Sequence, residues 1–156
     1  MPARIGQVQD VRELSITIPG TAPAGGWPLS DFLELSALPA AVPRARLRAR
    51  NLLREWKMAG LTDSVELITS ELVTNALRVS GTAPAAPIRL WLLSDQEQVM
   101  VLVWDDSPLP PVPMQAGEDS ENGRGLVLVE ALSARWGWYF PSDAGGKVVW
   151  AQSIVE

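Results

Sequence analysis

The feature that most limits the fold of this chain is a pair of successive helix-period segments in its first half. Within residues 43–59 the apolar positions fall at helical spacing, on Ala45, Ala49, Leu52, Leu53 and Trp56. A second stripe within residues 62–79 lies on Val65, Ile68, Leu72, Ala76 and Val79. Pro43 suits a first helical turn, and Gly60 and Gly81 suit helix ends. The sequence therefore predicts two amphipathic helices, each with one apolar face to bury.

Alternating or apolar segments around these helices predict the strands of a sheet. The predicted strands are 31–36, 88–94, 99–104, 136–140 and 147–153. A third helix is predicted at about 124–134, between the third and fourth of these strands. The order β, α, α, β, β, α, β, β predicts an α/β (α+β) two-layer sandwich. In this fold class the helices lie on one face of a mixed, mostly antiparallel sheet.

The first 26 residues differ in pattern from the rest. Residues 14–18 alternate like a strand, and residues 19–26 are rich in Pro, Gly and Ala, as in a flexible connector. We therefore expect an N-terminal extension at 1–26 and a single domain at 27–156, a length that buries a substantial core.

Composition removes several kinds of chemistry. The 156 residues contain no cysteine and no histidine, which excludes disulfides, thiolate catalysis, Cys or His zinc sites and imidazole bases. The 13 Lys and Arg against 18 Asp and Glu give a net charge of −5, which argues against direct nucleic-acid binding. No apolar run approaches the roughly 20 residues of a membrane span, and residues 1–20 lack a signal-peptide core. We expect a soluble, cytoplasmic protein without a membrane partner.

The second helix carries a polar pair that is suited to chemistry. Four residues make about 400° of helix, so Glu71 and Asn75 are neighbours on one face, with Asn75 at the edge of the apolar stripe. A carboxylate and an amide oxygen one turn apart can hold a hard cation such as Mg²⁺. A locally hydrogen-bonded pair on the helix surface is the alternative.

Two further motifs come after the third predicted strand. Asp105 ends a buried strand, where a carboxylate can fix the polar edge of a ligand, although Asp-Asp-Ser-Pro also suits a simple turn. Residues 105–122 form a long acidic, Pro-rich loop. Gly123-Arg124-Gly125 opens the third helix, whose first N–H groups attract anions, although a Gly-rich loop end without ligand is the alternative. The motif is neither a Walker A loop nor a Rossmann fingerprint.

In this order the motifs resemble the GHKL (Bergerat) ATP-binding fold, in particular its branch of bacterial anti-sigma-factor serine/threonine kinases. ELVTNA at 71–76 is similar to the N box of that branch. VWDDSP at 103–108 is similar to its first glycine-box region, and GRGLVLVEALSARWG at 123–137 to its second. GGKVVWA at 145–151 also fits, so that the resemblance covers about 33–152.

The resemblance implies ATP and Mg²⁺ as cofactors. By that resemblance Asn75 would hold a Mg²⁺ ion that bridges the phosphates. Glu71 would be the general base that takes the proton from a Ser or Thr hydroxyl of a protein substrate. Asp105 would accept a hydrogen bond from the adenine amino group.

The same resemblance implies that the phosphates lie against the Gly-x-Gly helix, under an ATP lid at 107–122. The remaining nucleotide contacts are assigned to Arg78, Ser107, Gly123, Arg124, Gly125 and Leu126. Two positions depart from the family pattern, since Val79 stands where a His is frequent and Ser107 stands where the wider superfamily has Gly. Lys147 is interpreted as either part of this region or a simple charge at a strand end.

The function implied is regulatory. A protein of this branch sequesters a sigma factor, phosphorylates a Ser or Thr of an anti-anti-sigma-type partner, and so controls transcription by partner switching. The alternative is a catalytically inactive, nucleotide-sensing protein-binding module, and a third reading is an interaction domain that has lost nucleotide binding. The family resemblance is also compatible with a homodimer.

The first helix carries an unusual share of the basic residues. Its polar face holds Arg44, Arg46, Arg48, Arg50, Arg54 and Lys57. We interpret this face as solvated, with an acidic partner as the second possibility and DNA as the third.

Overall fold

A computed structural model describes residues 27–79, 86–111, 120–141 and 145–155, and only the backbone of 120–125. Its elements are β1 (Leu29–Leu35), α1 (Ala41–Glu55), a 3₁₀ turn (Ala59–Leu61), α2 (Thr62–Val79), β2 (Ile88–Ser94), β3 (Gln98–Asp105), α3 (Ser120–Leu132), β4 (Arg135–Tyr139) and β5 (Lys147–Ile154). The predicted fold class and order of elements are confirmed. None of these helices combines the length and hydrophobicity that a membrane crossing requires. The extension at 1–26 lies outside the described residues, as do Gly81 and the lid residues 112–119.

The five strands form one sheet in the order β1-β2-β3-β5-β4. Each pair of neighbouring strands is antiparallel. The long connection through α3 carries the chain from β3 past the position of β5 to the edge strand β4. Strand β5 then returns and pairs with both, so that the end of β3 and the start of β5 come together.

Both faces of the sheet are buried. The main core joins the helices to alternate strand residues such as Leu90, Val101 and Val149. The intervening strand residues form a second cluster on the other face, made of Trp91, Leu93, Met100, Leu102, Trp104, Tyr139, Val148 and Trp150. Burial on both faces explains why β2 and β3 have nearly continuous apolar sequences rather than strict alternation.

Helix α1 ends four residues before the predicted end at 59. Lys57 adopts a left-handed backbone with φ of 60°. The N–H of Met58 donates to Leu53 and that of Lys57 donates to Arg54, which is the hydrogen-bond pattern of a Schellman motif. A lysine thus takes the conformation for which Gly60 was expected, and Gly60 lies in the following 3₁₀ turn.

The basic face of α1 is partly paired within the molecule. Arg48 donates to both carboxylate oxygens of Asp31 on β1. Arg50 donates to Glu66 on α2, and Arg46 lies 3.7 Å from the same carboxylate. This face therefore holds α1 against its neighbours, in addition to contacting solvent.

Candidate functional site

The candidate site residues lie toward one end of the sandwich. The other end is marked by a pocket of about 600 Å³, which touches Ser64 near the start of α2, Leu132 at the end of α3 and Ser153 near the end of β5. Because each of these elements runs along the sheet, the end of α2, the start of α3 and the start of β5 lie at the opposite end. The end of β3 lies there as well, because Asp105 pairs with Lys147.

Asn75 is turned into the protein by its place in α2. It is only 7% exposed, at the edge of the apolar stripe. Its amide oxygen accepts a hydrogen bond of 2.7 Å from the exposed guanidinium of Arg78, three residues further along the helix. The local hydrogen bond on this helix face thus joins Asn75 to Arg78. An amide oxygen has two lone pairs, so one acceptor position remains.

Glu71 lies one turn before Asn75 and is partly buried. Burial raises the pKa of Glu71 above its ordinary value, and the positive charge of Arg78 offsets part of that rise. A carboxylate with a raised pKa is a better proton acceptor near neutral pH than a fully solvated one. The α2 face thus combines a proton acceptor, an amide oxygen and a guanidinium on consecutive turns.

Asp105 is fully buried at the end of β3, with an exposure of 1%. Its Oδ1 accepts two hydrogen bonds of 2.9 Å, from Nζ of Lys147 and from the N–H of Ser107. Its Oδ2 is buried and has no hydrogen-bond partner among the residues that the structure describes. Burial raises the pKa of Asp105, and the Lys147 ammonium and the Ser107 N–H offset part of this rise.

The structure confirms the turn interpretation of the Asp105 segment, which uses Oδ1, and the ligand interpretation stays a prediction for Oδ2. Oδ1 closes the predicted turn through Ser107, whose Oγ in turn accepts from the N–H of Leu109 at 3.1 Å. Oδ2 keeps an acceptor position that a ligand could use.

Lys147 is not a simple charge at a strand end, because it has no exposed surface and pairs with Asp105 across the two strands. The turn before it is held against β3. Trp104 Nε1 donates to the carbonyl of Gly145 at 2.8 Å. Gly146 has φ of 68°, and a Cβ at this position would overlap the carbonyl oxygen of Asp105. Only glycine permits this close approach between the turn and the end of β3.

Helix α3 begins at Ser120, about four residues earlier than predicted. Gly123, Arg124 and Gly125 thus lie within the helix, and the side chain of Arg124 lies outside the described part. The four N–H groups that lack intrahelical partners are those of the N-cap and the first three helical residues, so neither Gly123 nor Gly125 contributes one. Leu126 is buried in the main core, so its side chain serves packing.

The donor groups fit a nucleotide and, together with it, a Mg²⁺ ion. The buried, unpartnered Oδ2 of Asp105 is the type of acceptor that an amino group of a base would satisfy. Asn75 and Glu71 offer two oxygen donors, and Mg²⁺ commonly uses one or two protein ligands together with phosphates and water. Among the described residues no group of three or more His, Cys, Asp or Glu side chains could hold a metal alone. Phosphates of a bound nucleotide would supply further ligands to a metal held here.

Sequence reasoning left Lys147 undecided between the site and a simple charge at a strand end. A signal was present, since a lysine opens an otherwise apolar strand directly after Gly145-Gly146. An aspartate likewise closes the apolar strand β3. Two opposite charges at the ends of buried strands indicate a cross-strand pair, but only if the two strands are neighbours.

Comparisons with known proteins give one family match and two relatives. Residues 35–153, well over half of the chain, match the histidine kinase-like ATPase domain family. The chain is also 30% identical over 145 residues to a 4-O-methyl-glucuronoyl methylesterase of Schizophyllum commune, a match that covers 91% of this chain and 35% of that protein. It is 33% identical over 69 residues to an uncharacterized protein of Streptomyces coelicolor, covering 44% of this chain and 66% of that protein. The matches thus span about a third and about two thirds of these two relatives.

Proposed function

The chain belongs to the histidine kinase-like ATPase domain family, and we propose that it is a regulatory serine/threonine protein kinase of the anti-sigma-factor type. It uses ATP and Mg²⁺ to phosphorylate a Ser or Thr of an anti-anti-sigma-type protein. Phosphorylation changes which partner binds the sigma factor, and so controls transcription in the cytoplasm. The proposal includes the sigma factor as a second protein partner. It also includes a homodimer of this chain.

The observation that carries the proposal is the arrangement on α2. Glu71 is partly buried with a raised pKa, and the buried amide of Asn75 lies one turn away. A kinase of this kind needs a proton acceptor for the substrate hydroxyl next to the ligand that positions the metal. Both are on one rigid helix, which keeps their separation constant.

The remaining residues bind and orient. Bound ATP would supply the phosphoryl group, and Mg²⁺ would neutralise its charge. Asn75 would hold the metal through its second lone pair, and Oδ2 of Asp105 would accept from the adenine amino group. The first N–H groups of α3 would face the phosphates. Glu71 would then take the proton of the attacking hydroxyl as its oxygen bonds to phosphorus and the bond to ADP breaks.

The first test is a nucleotide titration. Wild type and Asn75→Ala are unfolded thermally with ATP or ADP, each with and without Mg²⁺. A ligand at 100 times its dissociation constant adds about 2.7 kcal/mol to the free energy of unfolding. We expect a Mg²⁺-dependent gain in wild type that is lost in Asn75→Ala. No gain with any nucleotide would contradict the proposal.

The second test addresses phosphoryl transfer. Radiolabelled ATP is incubated with the protein and a panel of anti-anti-sigma-type proteins. Glu71→Gln should lower transfer by about 10²- to 10⁴-fold, the usual contribution of a general base. Nucleotide binding should be retained, and Glu55→Gln, on the exposed part of α1, is the matched control. Full transfer by Glu71→Gln would remove the general-base role.

The hydrogen bond from Arg78 to Asn75 favours a second candidate, a nucleotide-sensing binding module without kinase activity. A guanidinium already lies on the amide oxygen that would bind the metal. Nucleotide would then bind and change the affinity for a partner protein without group transfer. The radiolabel assay separates the two candidates, because only the kinase labels a partner.

The similarity to the methylesterase does not support an esterase function. It spans about a third of that protein. Hydrolases of the Ser-His-Asp type also need an imidazole base, and this sequence has no histidine.

A further inference from the structure

The two carboxylate oxygens of Asp105 are in unequal surroundings. An ionised carboxylate oxygen accepts about two hydrogen bonds. Oδ1 already receives two, from Lys147 and from the N–H of Ser107. Oδ2 is buried and receives none from the described part of the chain. The side chain therefore offers acceptor positions on one oxygen only, rather than on both oxygens side by side.

Lys147 is the side chain that maintains this inequality. It is fully buried, it is the cross-strand neighbour of Asp105, and its Nζ lies 2.9 Å from Oδ1. The positive charge favours the ionised carboxylate, which accepts hydrogen bonds and donates none. The Gly145-Gly146 turn and its hydrogen bond from Trp104 hold the start of β5 in place.

We propose that Lys147 determines which base the site accepts, by leaving Oδ2 of Asp105 as a single buried acceptor that selects a 6-amino purine over a 6-oxo purine. This inference rests on the nucleotide site proposed above. Lys147 is a specificity-determining residue that acts through Asp105.

The chemistry of the purine edges gives the direction of the selection. Adenine presents one exocyclic amino group, which one acceptor oxygen satisfies. Hypoxanthine presents a carbonyl oxygen at the same position, which would place acceptor against acceptor in a buried site. Guanine adds a fork of two donors, and a carboxylate binds such a fork with both oxygens. Oδ1 has no free position for the second donor.

The test compares ADP with IDP, in which the 6-amino group is replaced by an oxo group and N1 gains a hydrogen. Dissociation constants are measured by titration calorimetry with wild type and Lys147→Met, at a temperature where both are folded. Lys57→Met is the matched control, because Lys57 is the only other lysine and is exposed in the αL turn after α1. GDP is measured in parallel.

Wild type is expected to bind ADP about 10- to 100-fold more tightly than IDP, the cost of an unsatisfied buried polar group. In Lys147→Met the carboxyl group loses its counter-charge and tends to take up a proton, after which it also donates. The ratio should then fall by about tenfold. Lys57→Met should keep the wild-type ratio.

A purely structural role would weaken ADP and IDP equally in Lys147→Met, and an unchanged ratio would overturn the inference. Equal binding of ADP and IDP by wild type would also overturn it, while the proposed function would stand. No binding of either nucleotide by wild type would instead refute the proposed nucleotide site itself.

Lys147→Met leaves one unpaired buried charge, so it is the variant most at risk of failing to fold. In that case Asp105→Asn/Lys147→Met removes both charges and leaves an amide that can either accept or donate. It should show the same loss of selectivity. Retention of the wild-type ratio in this double variant would contradict the role of the pair.

Discussion

Two sets of ion pairs in this molecule share their chemistry and differ in their surroundings. The first is the α1 arginine surface, which we define as Arg46, Arg48 and Arg50 with their partners Asp31 and Glu66. Its arginine side chains are 44–48% exposed. The second is the Asp105–Lys147 pair, in which each side chain is at most 1% exposed.

The difference teaches that the number of charges is a poor guide to their importance. Exposed pairs gain little because water and salt screen them. A buried pair also gains little as a whole, since both ions lose their hydration, but neither partner can be removed alone without leaving an unpaired charge. Breaking the Asp105–Lys147 pair should therefore lower the free energy of unfolding more than breaking a pair of the α1 arginine surface. The following experiments test this order.

The largest effect is expected from breaking the buried pair. Lys147→Met should lower the free energy of unfolding by about 3–5 kcal/mol, because it leaves the Asp105 carboxylate without a counter-charge. Urea unfolding at neutral pH measures the change, with Lys57→Met as control. A loss below about 1 kcal/mol would mean that breaking the buried pair costs no more than breaking a surface pair, which would contradict the expected difference.

The next effect is expected at the turn that brings Lys147 to Asp105. Gly146→Ala must accommodate both a positive φ and the overlap with Asp105, whereas Gly145→Ala meets only the positive φ. Left-handed backbone strain costs about 1–3 kcal/mol, so Gly146→Ala should lose that amount or more. Gly60→Ala has no close neighbour and is the control. Thermal unfolding should rank the losses as Gly146, then Gly145, then Gly60, and any other order would argue against the close approach.

The two sets should also differ in the sign of their pH dependence. The hydrogen bond from Arg50 lowers the pKa of Glu66 below 4.5, so its contribution to stability is present above that pH. That contribution is lost as the pH falls through the folded-state pKa. Burial raises the pKa of Asp105 above 3.8, so its ionisation reduces stability as the pH rises through this window.

Urea unfolding at a series of acidic pH values measures both slopes. Glu66→Gln should remove the loss at low pH. In Lys147→Met the destabilisation should shrink as the pH is lowered, because the Asp105 carboxyl then takes a proton. Parallel curves for wild type and both variants would contradict the assigned signs.

The smallest effect is expected from the exposed pair between β1 and α1. Asp31→Asn removes the charge that Arg48 contacts and should cost less than about 1 kcal/mol. The cost should decrease further in high salt. A loss as large as that of Lys147→Met would show that position on the surface does not explain the difference between the two sets.

The sequence predicted the regular elements best where hydrophobic spacing runs unbroken. The stripe of α2 and the apolar run of β2 indicated bounds that the structure confirms. Element ends were predicted less well, because they depend on individual backbone hydrogen bonds. The end of α1 is decided at Lys57 by its left-handed conformation rather than at Gly60.

The same contrast applies to the candidate site. The sequence by itself determined that Glu71 and Asn75 share a helix face, because helical geometry fixes residues four apart. It also determined that an aspartate ends a buried strand. Only the tertiary structure decided that Lys147 joins this aspartate, because β5 pairs with β3 from 42 residues away. That contact occupies Oδ1 and leaves Oδ2 of Asp105 without a partner among the described residues, because strand pairing and not local sequence brings the lysine to this buried charge.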